Sequence, residues 1–443
     1  MTIIKLSLHY NVHLHNQHFT NTIIPTNLSS KFLRKARWFP LTCTLSTASE
    51  PIDAKISTIR EKWKNIHGQD NWVGMAHDTM DPLLRSELIR YGEMAQACYE
   101  AFDSDPYSKY CGSCKVPPKT FFQDLGMNDH KGYEITSYIY SSNTSNLIPK
   151  FFTKYIRPDG PWNPMVNWMG YVAVSNDETT ARLGRRDIIV AWRGTVTNLE
   201  WMVDLMDFLK PVSAQKLASQ DPNIKVMAGF LHIYTDKDQS CKYSKFSARE
   251  QLLAELTRLA KIYGRKEEEI SITITGHSLG SALAILSGYD IAESNVDKLD
   301  NMQKFHISVF SFSGPRVGNT RFRKRVEELG IKVLRVFNIH DNVPNVPGLL
   351  LNEHTSPFVR NLADWVAWFY SHIGEKIGLD HTRSSFVKES LDAGSAHNLE
   401  LLLHLLDGYY DERAKCWIPG GRDKALMNKG GDILKVEHLI PPK

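Results

Sequence analysis

The chain has 443 residues, of which 42% are hydrophobic and 23% charged, and its formal net charge is +4. A chain of this length and composition can bury a large core, so we expect one enlarged domain with extensions. The mild charge, spread without long runs of one sign, does not indicate a nucleic-acid partner. The sequence also lacks the run of about eighteen apolar residues that a membrane-spanning helix requires.

The first 48 residues differ in composition from the rest. Residues 1–49 contain no Asp or Glu, are rich in Ser and Thr, and carry a basic cluster at Lys31–Arg37. This composition is typical of an organelle transit peptide, so we predict that residues 1–48 are a disordered targeting segment, cleaved between about Thr42 and Ser49. An ordinary disordered tail is the alternative.

Residues 49–150 are predicted to form a helical extension that packs on the core, with helices at Ile56–Trp63 and Leu83–Phe102. Cys111 and Cys114 form a C-x-x-C motif in a proline-containing loop. Without a second cysteine pair, this motif does not indicate a zinc site, and we expect loop cysteines, with a redox switch as the alternative. The sequence shows no phosphate-binding glycine loop and no metal cluster, so we expect neither a metal nor a cofactor.

Residues 151–443 are predicted to form the catalytic domain, and its most informative segment is Ile270–Ala284. Alternating β-branched residues predict a strand up to Thr275, Gly276-His277-Ser278-Leu279-Gly280 follows, and a helix of small and apolar residues comes next. In this strand–turn–helix setting, G-x-S-x-G predicts a sharp turn that exposes the serine hydroxyl as a nucleophile. An ordinary glycine junction with an incidental serine is the alternative.

A serine nucleophile needs donors for the oxyanion that its attack creates. The backbone amide of Leu279, directly after the serine, is the first candidate. The second is Thr195, which follows Gly194 at the end of the predicted buried strand Asp187–Trp192. The glycine lets the backbone approach a ligand closely at that point.

The serine also needs a base and an acid that orients the base. The predicted strand Lys332–Phe337 is followed closely by Asp341, which places a carboxylate at a strand end, where open α/β sheets bind their ligands. Asp380 is the rival acid. A further predicted strand, His306–Phe312, leads into the turn Ser313–Asn319, which we expect to shape the pocket wall.

His397 is the preferred base because it precedes the leucine-rich run Leu401–Leu406. Ser395 is a candidate N-cap for that helix and would place His397 in its first turn. His381, adjacent to Asp380, is the strongest competitor. The residues alone leave this choice open.

Together these motifs resemble the class 3 lipases and, more narrowly, the plant chloroplast phospholipase A1 group, over roughly residues 60 to 440. The segments that carry the resemblance are 167–174, 182–187, 192–195, 243–250, 276–280, 314–319, 340–344, 396–400 and 406–409. The chain departs from many relatives at Ser281, where they have a second glycine, and it ends at Lys443, where similar proteins often run further.

The resemblance implies an α/β-hydrolase fold, with a mostly parallel sheet flanked by helices and the N-terminal helical extension. It also implies that Ser278 is the nucleophile, Asp341 the orienting acid and His397 the general base. By the same resemblance, the amphipathic segment after Thr195 is a lid, with Trp201, Met202 and Met206 as lipid contacts. An ordinary helix packed on the sheet is the alternative for that segment.

The implied activity is hydrolysis of the sn-1 ester of glycerolipids in the chloroplast. Phosphatidylcholine and galactolipids are the expected substrates, with triacylglycerol as a further candidate, and the enzyme would meet membrane lipid peripherally at an interface. A lipase-like interaction module without catalysis and a soluble carboxylesterase are the alternatives.

Overall fold

The computed structural model describes residues 52–76, 80–105, 107–127, 130–142, 166–196, 209–211, 214–264, 268–298, 304–347, 369–411, 413, 416–418 and 420–422. The predicted transit segment 1–48 lies outside the described residues. So do Trp201, Met202 and Met206 of the predicted lid. Residues 50–443 form one compact unit.

Helices and strands alternate along most of the described chain. The helices are α1 (Ile52–Ile66), α2 (Pro82–Glu100), α3 (Phe121–Asp124), α4 (Asp177–Leu183), α5 (Ala214–Leu217), α6 (Ala228–Thr235), α7 (Ala248–Tyr263), α8 (Leu279–Glu293), α9 (Thr320–Glu328), α10 (Ala393–Ala396) and α11 (Leu399–Asp407). The strands are β1 (Tyr133–Ser142), β2 (Val166–Ser175), β3 (Arg186–Trp192), β4 (Leu209–Pro211), β5 (Lys225–Met227), β6 (Ile270–His277), β7 (His306–Phe312), β8 (Lys332–Asn338), β9 (Glu375–Leu379), β10 (Tyr409–Asp411) and β11 (Cys416–Ile418).

The main sheet of the described residues has the strand order β1-β2-β3-β6-β7-β8-β9. Strands β3, β6, β7, β8 and β9 run parallel, whereas β2 runs antiparallel to both of its neighbours. Consequently β1 runs in the same direction as the parallel strands. The carboxyl ends of β1, β3, β6, β7, β8 and β9 therefore meet at one edge of the sheet, which we call the catalytic edge.

Both faces of the sheet are buried, which explains the continuous apolar character of its central strands. Every residue of β3 and β6 is buried. Alternate side chains join two different core clusters: Val190 and Ile274 pack with α6, α7 and α8, whereas Ile189 and Ala191 pack with α2 and α11. Helices thus cover the sheet on two sides, as expected for a mostly parallel sheet.

The segment 49–150 contributes a strand as well as helices. The predicted helix at 83–102 is confirmed as α2, which begins after the N-cap Asp81, whose carboxylate accepts from the amides of Leu83 and Leu84. Helix α2 contacts β3, β6 and β7, so it packs directly on the central sheet. Strand β1 lies in the same segment and extends the sheet at one side. No helix in the described part of the chain is long and apolar enough to cross a membrane.

Candidate active site

Ser278 occupies a tight turn between β6 and α8. Its φ of 59° and ψ of −124° are strained for a residue with a side chain, at a cost of about 1–3 kcal/mol. The two flanking glycines make the turn possible. A Cβ on Gly276 would lie 2.4 Å from the Gly280 backbone, and a Cβ on Gly280 would lie 2.3 Å from the Trp192 carbonyl oxygen. The backbone at this turn requires glycine, as the sequence motif predicts.

Ser281 fixes the same turn from inside the helix. Its hydroxyl donates to the carbonyl oxygen of Gly276 and, at 2.9 Å, to that of Phe312. The Ser278 amide also donates to Phe312, at 3.0 Å. Ser281 therefore connects the turn to the end of β7 without a hydrogen bond to the Ser278 hydroxyl.

Asp341 and His397 form a buried pair at the catalytic edge. The ring Nδ1 of His397 lies 2.8 Å from Oδ2 of Asp341, and Oδ1 accepts from the Val343 amide at 2.9 Å. Because a carboxylate only accepts, Nδ1 carries the ring proton and Nε2 has a lone pair available. Asp341 is 2% exposed and His397 7%. The carboxylate thus fixes the tautomer that a general base requires.

The local setting of His397 differs from the sequence expectation. Ser395 is not the N-cap of the leucine-rich helix, because it lies within the short helix α10, capped by Asp392. Helix α11 is capped by Asn398, whose side-chain oxygen accepts from the amides of Glu400 and Leu401. His397 lies between the two helices. The expected N-cap was wrong because Asn398 offers the same capping chemistry nearer the helix.

Two polar atoms of the predicted nucleophile and base have no hydrogen-bond partner in the structure. They are the Ser278 hydroxyl oxygen and Nε2 of His397, and both are buried. Most buried polar atoms are hydrogen-bonded, so an exception of this kind requires an explanation. A nucleophile and its base whose hydrogen bond tightens on substrate binding provide one.

The rival acid and base lie elsewhere at the same edge. His340 Nε2 contacts Asp380 Oδ1 at 3.1 Å, while the His381 ring lies between Asn338 and the Glu389 carbonyl oxygen. Neither Asp380 nor His381 is bonded to His397. The ligand atoms of His340, Asp380 and His381 lie within 4.8 Å of one another, so the three could hold a metal ion. Both His381 nitrogens already have hydrogen-bond partners in Asn338 and Glu389, so these bonds explain the position of the ring without a metal ligand.

The strand end before Thr195 is held by a buried arginine. Arg193 donates through Nη1 to the Gly194 carbonyl oxygen at 2.8 Å, through Nε to the Trp168 carbonyl oxygen at 2.9 Å, and through Nη2 to Asn167 Oδ1 at 2.7 Å. Its guanidinium carbon lies 3.8 Å from the centre of the Phe102 ring. Burial lowers the pKa of Arg193 to about 10.

These contacts determine the orientation of the Thr195 backbone N–H. The Gly194 carbonyl and the Thr195 N–H belong to the same peptide and point in opposite directions. By binding the carbonyl, Arg193 fixes the plane of this peptide and polarises its N–H. The sequence motif Trp192–Thr195 contained this arginine, but the sequence interpretation gave it no role.

A second group missed by the sequence interpretation is Tyr99 in α2. Its hydroxyl lies 2.8 Å from Nδ1 of His277 and packs against Gly194, where a Cβ would lie 2.0 Å from it. His277 Nε2 lies 2.8 Å from the carbonyl oxygen of His397, so Nε2 carries the proton and Nδ1 accepts from Tyr99. Burial and the nearby His397 hold the pKa of His277 well below its ordinary value. A neutral His277 therefore links α2, the strand end at Gly194 and the loop of His397.

The loop after Asp341 is fixed by the turn that follows β7. The Arg316 amide donates to the Val346 carbonyl oxygen at 2.9 Å, and its guanidinium donates to the Asn345 carbonyl oxygen at 2.6 Å. The turn predicted to shape the pocket wall thus holds the segment that carries the acid. In the C-x-x-C motif, burial raises the pKa of both the Cys111 and the Cys114 thiol.

Comparison with known proteins shows the family to which the chain belongs. Residues 189–351 match the family model of lipase (class 3). The chain is 54% identical over 387 residues to phospholipase A1-Igamma1, chloroplastic, of Arabidopsis thaliana, covering 87% of this chain and 74% of that protein. The chain therefore belongs to the class 3 lipase family, and the predicted α/β-hydrolase fold is confirmed.

Other relatives define the group within the family. Phospholipase A1 EG1, chloroplastic/mitochondrial, of Oryza sativa subsp. indica is 41% identical over 386 residues, covering 86% of this chain and 81% of that protein. Galactolipase DONGLE, chloroplastic, of Arabidopsis thaliana is 42% identical over 329 residues, covering 72% of this chain and 65% of that protein. The predicted resemblance to the plant chloroplast phospholipase A1 group is confirmed.

Solved lipase structures superpose on this chain only loosely. The native propeptide complex of Rhizomucor miehei lipase has a TM-score of 0.40 and 19% identity, covering 68% of this chain and 69% of that one. The fold assignment accordingly rests on the sheet and on the sequence relatives.

Proposed function

We propose that this chain is a serine acylhydrolase that cleaves the sn-1 ester of glycerolipids in the plastid. The observation that carries the proposal is the arrangement at the catalytic edge, where a strained serine turn meets a buried Asp–His pair. The unpartnered Ser278 hydroxyl oxygen and His397 Nε2 are the two atoms between which a proton would move.

The mechanism follows from the protonation state of each group. His397 Nε2 takes the hydroxyl proton as Ser278 attacks the ester carbonyl carbon, and the carbonyl electron pair moves onto the oxygen. The Leu279 amide, in the first turn of α8, and the Thr195 amide donate to this oxyanion. The helix dipole of α8 favours negative charge at the same point.

Collapse of the tetrahedral intermediate completes the first half of the reaction. The carbonyl re-forms, the glycerol oxygen leaves with the proton from His397, and an acyl-enzyme ester on Ser278 remains. Water then attacks this ester with His397 again as the base, and a free fatty acid is released. Asp341 stabilises the imidazolium in both halves and stays ionised.

The substrate class comes from the relatives. Their names identify them as phospholipase A1 and galactolipase proteins, and most of the similar ones as chloroplastic. We infer phosphatidylcholine and plastid galactolipids as substrates, with triacylglycerol as a further candidate, and a membrane interface as the place of reaction. The lid role of Trp201, Met202 and Met206 and the transit role of residues 1–48 belong to this proposal, as do the boundaries 49–150 and 151–443.

The test is fatty-acid release from vesicles of phosphatidylcholine, monogalactosyl and digalactosyl diacylglycerol, and from triacylglycerol emulsions, with identification of the lyso product. Ser278→Ala is the inactive variant, and Ser294→Ala, at the opposite end of α8, serves as the serine control. We expect release that depends on Ser278 and leaves the sn-2 chain in place. Hydrolysis of a short soluble ester alone would replace the proposal with a soluble carboxylesterase, and inactivity on both would favour an interaction module.

A further inference from the structure

Two surface segments carry exposed aromatic side chains next to lysines. In segment 107–116, Tyr107 is 81% exposed and Tyr110 46%, and in segment 241–247, Phe246 is 58% exposed. Lys109 lies over the Tyr110 ring at 4.7 Å, and Lys242 over the Tyr243 ring at 5.7 Å. We call these two segments together the aromatic edge. They contain four lysines and no acidic residue.

Both segments approach Tyr140 in β1. The Tyr140 ring lies 5.3 Å from the Tyr243 ring, and Tyr140 pairs with Trp168 of β2. Segment 107–116 is also joined to the sheet, because the Trp168 amide donates to the Gly112 carbonyl oxygen at 2.8 Å. The two segments are therefore attached at neighbouring positions of β1 and β2.

Gln251 holds the second segment rigidly against β1. Its side-chain oxygen accepts from the Tyr140 amide at 3.1 Å, and its Nε2 donates to the carbonyl oxygens of Tyr140, at 2.9 Å, and Phe246, at 2.7 Å. The backbone that carries Phe246 is thus fixed although its side chain is exposed. A large apolar side chain held in this way loses little further backbone freedom when it is buried by a partner.

The register of the sheet places this surface at the catalytic edge. Ile139 in β1, Gly170, Trp192 and Gly276 form one row across β1, β2, β3 and β6. Tyr140 lies one residue beyond this row toward the carboxyl ends, and Ser278 lies two residues beyond it. Three strand spacings separate β1 from β6, which is about 14 Å.

From this juxtaposition we propose that the aromatic edge docks the protein on an anionic lipid surface, with the exposed aromatic rings inserted between headgroups and the lysines against lipid phosphates. The proposal rests on the glycerolipid hydrolysis proposed above, and it adds which surface of the protein contacts the membrane. Tyrosine and phenylalanine suit the boundary between water and hydrocarbon, and lysine adds attraction to anionic lipid. Docking at this edge would bring the bilayer surface alongside Ser278.

The test is partition of the full-length chain onto vesicles, in a Ser278→Ala background so that the lipid is not consumed. Phosphatidylcholine vesicles are compared with and without phosphatidylglycerol. We expect Tyr110→Ser with Phe246→Ser to lower partition onto both vesicles about tenfold. Lys109→Gln with Lys242→Gln should lower it about twenty-five-fold on anionic vesicles, since each lysine contributes about fivefold, and leave binding to neutral vesicles unchanged.

Matched controls lie at the other end of the sheet. Val73 is 80% exposed and Ile262 43%, and neither belongs to the aromatic edge. Val73→Ser with Ile262→Ser removes similar exposed apolar area, and Lys62→Gln with Lys261→Gln removes two lysines outside this surface. We expect both control pairs to bind vesicles as the parent protein does.

Turnover of a short soluble ester, measured with Ser278 intact, separates docking from catalysis. The aromatic-edge variants should keep this turnover while losing hydrolysis of vesicle lipid. Unchanged vesicle partition in both aromatic-edge variants would overturn the proposal, as would equal loss in the control pairs. If light scattering shows a dimer that the aromatic variants dissociate while vesicle binding persists, a second copy of the chain covers this surface instead. Normal docking without any lipid hydrolysis would refute the proposed function alone.

Discussion

Two buried carboxylates lie at opposite edges of the same sheet and have different hydrogen-bond partners. Asp187, at the start of β3, accepts four hydroxyl hydrogen bonds: from Tyr91 and Tyr133 on one oxygen and from Ser271 and Thr273 on the other. Asp341, at the catalytic edge, accepts from the His397 ring and from one backbone amide.

The charges around Asp187 explain its role. Burial alone raises the pKa of this carboxyl, but the positive charges of Arg185 and Arg90 outweigh it and hold the pKa below the ordinary value. Each Asp187 oxygen is saturated, so the group cannot exchange partners. It joins α2, β1, β3 and β6 and has no neighbour that could react.

Asp341 accepts from the His397 ring, which is the base of the proposed reaction. The His397 ring that it orients carries an unpartnered Nε2 on the other side. Burial of a charged group therefore does not by itself indicate function. Both oxygens of Asp187 are saturated by hydroxyl groups that connect elements of the fold, whereas Asp341 contacts a ring whose second nitrogen has no partner.

Asp341→Asn should have the largest effect on catalysis. The amide can hold the imidazole in the wrong tautomer and cannot stabilise its positive charge, so we expect kcat on a soluble ester to fall about 10⁴-fold. The unfolding free energy should change little. Asp380→Asn is the matched control and should retain activity. Loss of activity in Asp380→Asn, with activity kept in Asp341→Asn, would reverse the assignment of the acid.

Asp187→Asn should lower the stability of the fold, in contrast to Asp341→Asn, which should lower kcat. Arg185 would keep Glu87 but lose one of its two buried carboxylate partners, and the amide nitrogen of Asn cannot accept the hydroxyl hydrogen bonds of one Asp187 oxygen. We therefore expect the unfolding free energy to fall by about 3–5 kcal/mol in urea unfolding. The control is Asp177→Asn, because this side chain is 82% exposed and its ion pair with Arg186 should contribute at most about 1 kcal/mol. An Asp187→Asn protein as stable as the parent would show that the network does not support the fold.

The same network should make stability fall in acid. Burial, and then the positive charge of Arg185, lower the pKa of His67 from 6.5 to about 4. The unfolded chain binds this proton below about pH 6.5 and the folded protein only below about pH 4. Stability contributed by neutral His67 is therefore complete above pH 6.5 and is lost as the pH falls toward 4, by about 3 kcal/mol.

Urea unfolding across this pH range, with and without His67→Gln, measures that contribution. His277 and His306 also have lowered pKa values and act in the same direction, so the relevant quantity is the difference between the two slopes. We expect a shallower slope in His67→Gln. Identical slopes in the two proteins would contradict this explanation.

Arg193→Lys should have the smallest of these effects. A lysine cannot form the planar set of bonds to Gly194, Trp168 and Asn167, so the peptide that presents the Thr195 amide would be less well fixed. We expect kcat to fall about a hundredfold, as for loss of one oxyanion donor, with KM for a short ester unchanged. Arg186→Lys, at the other end of β3, should affect stability more than kcat. Comparable kcat losses in the two variants would argue against a specific role for Arg193.

The parts of the site that follow from local sequence could be predicted. The strand, the two glycines and the small-residue helix around Ser278 all lie within one short segment, so the turn was evident from the chain alone. The position of Asp341 just after the end of β8 could also be predicted from neighbouring residues. Both depend on contacts between residues close in sequence.

The choice among distant partners could not be made from the residues alone. Asp341 and His397 are separated by 56 positions, and Asp380 with His381 ends the next strand along the sheet. Only the packing of α10 and α11 against β8 and β9 brings one histidine to one acid. Tyr99 and Arg193 act through backbone atoms of other elements, which no spacing rule reveals. The strand β1 was missed because its segment was dominated by helical patterns.

The most direct test of the central claim is covalent labelling of the nucleophile. The protein would be treated with a fluorophosphonate ester and the labelled peptide identified by mass spectrometry. The account predicts one adduct on Ser278, formed much more slowly in His397→Ala and absent in Ser278→Ala, although Ser281 lies one turn away. Labelling of another residue, or labelling that persists in Ser278→Ala, would contradict it.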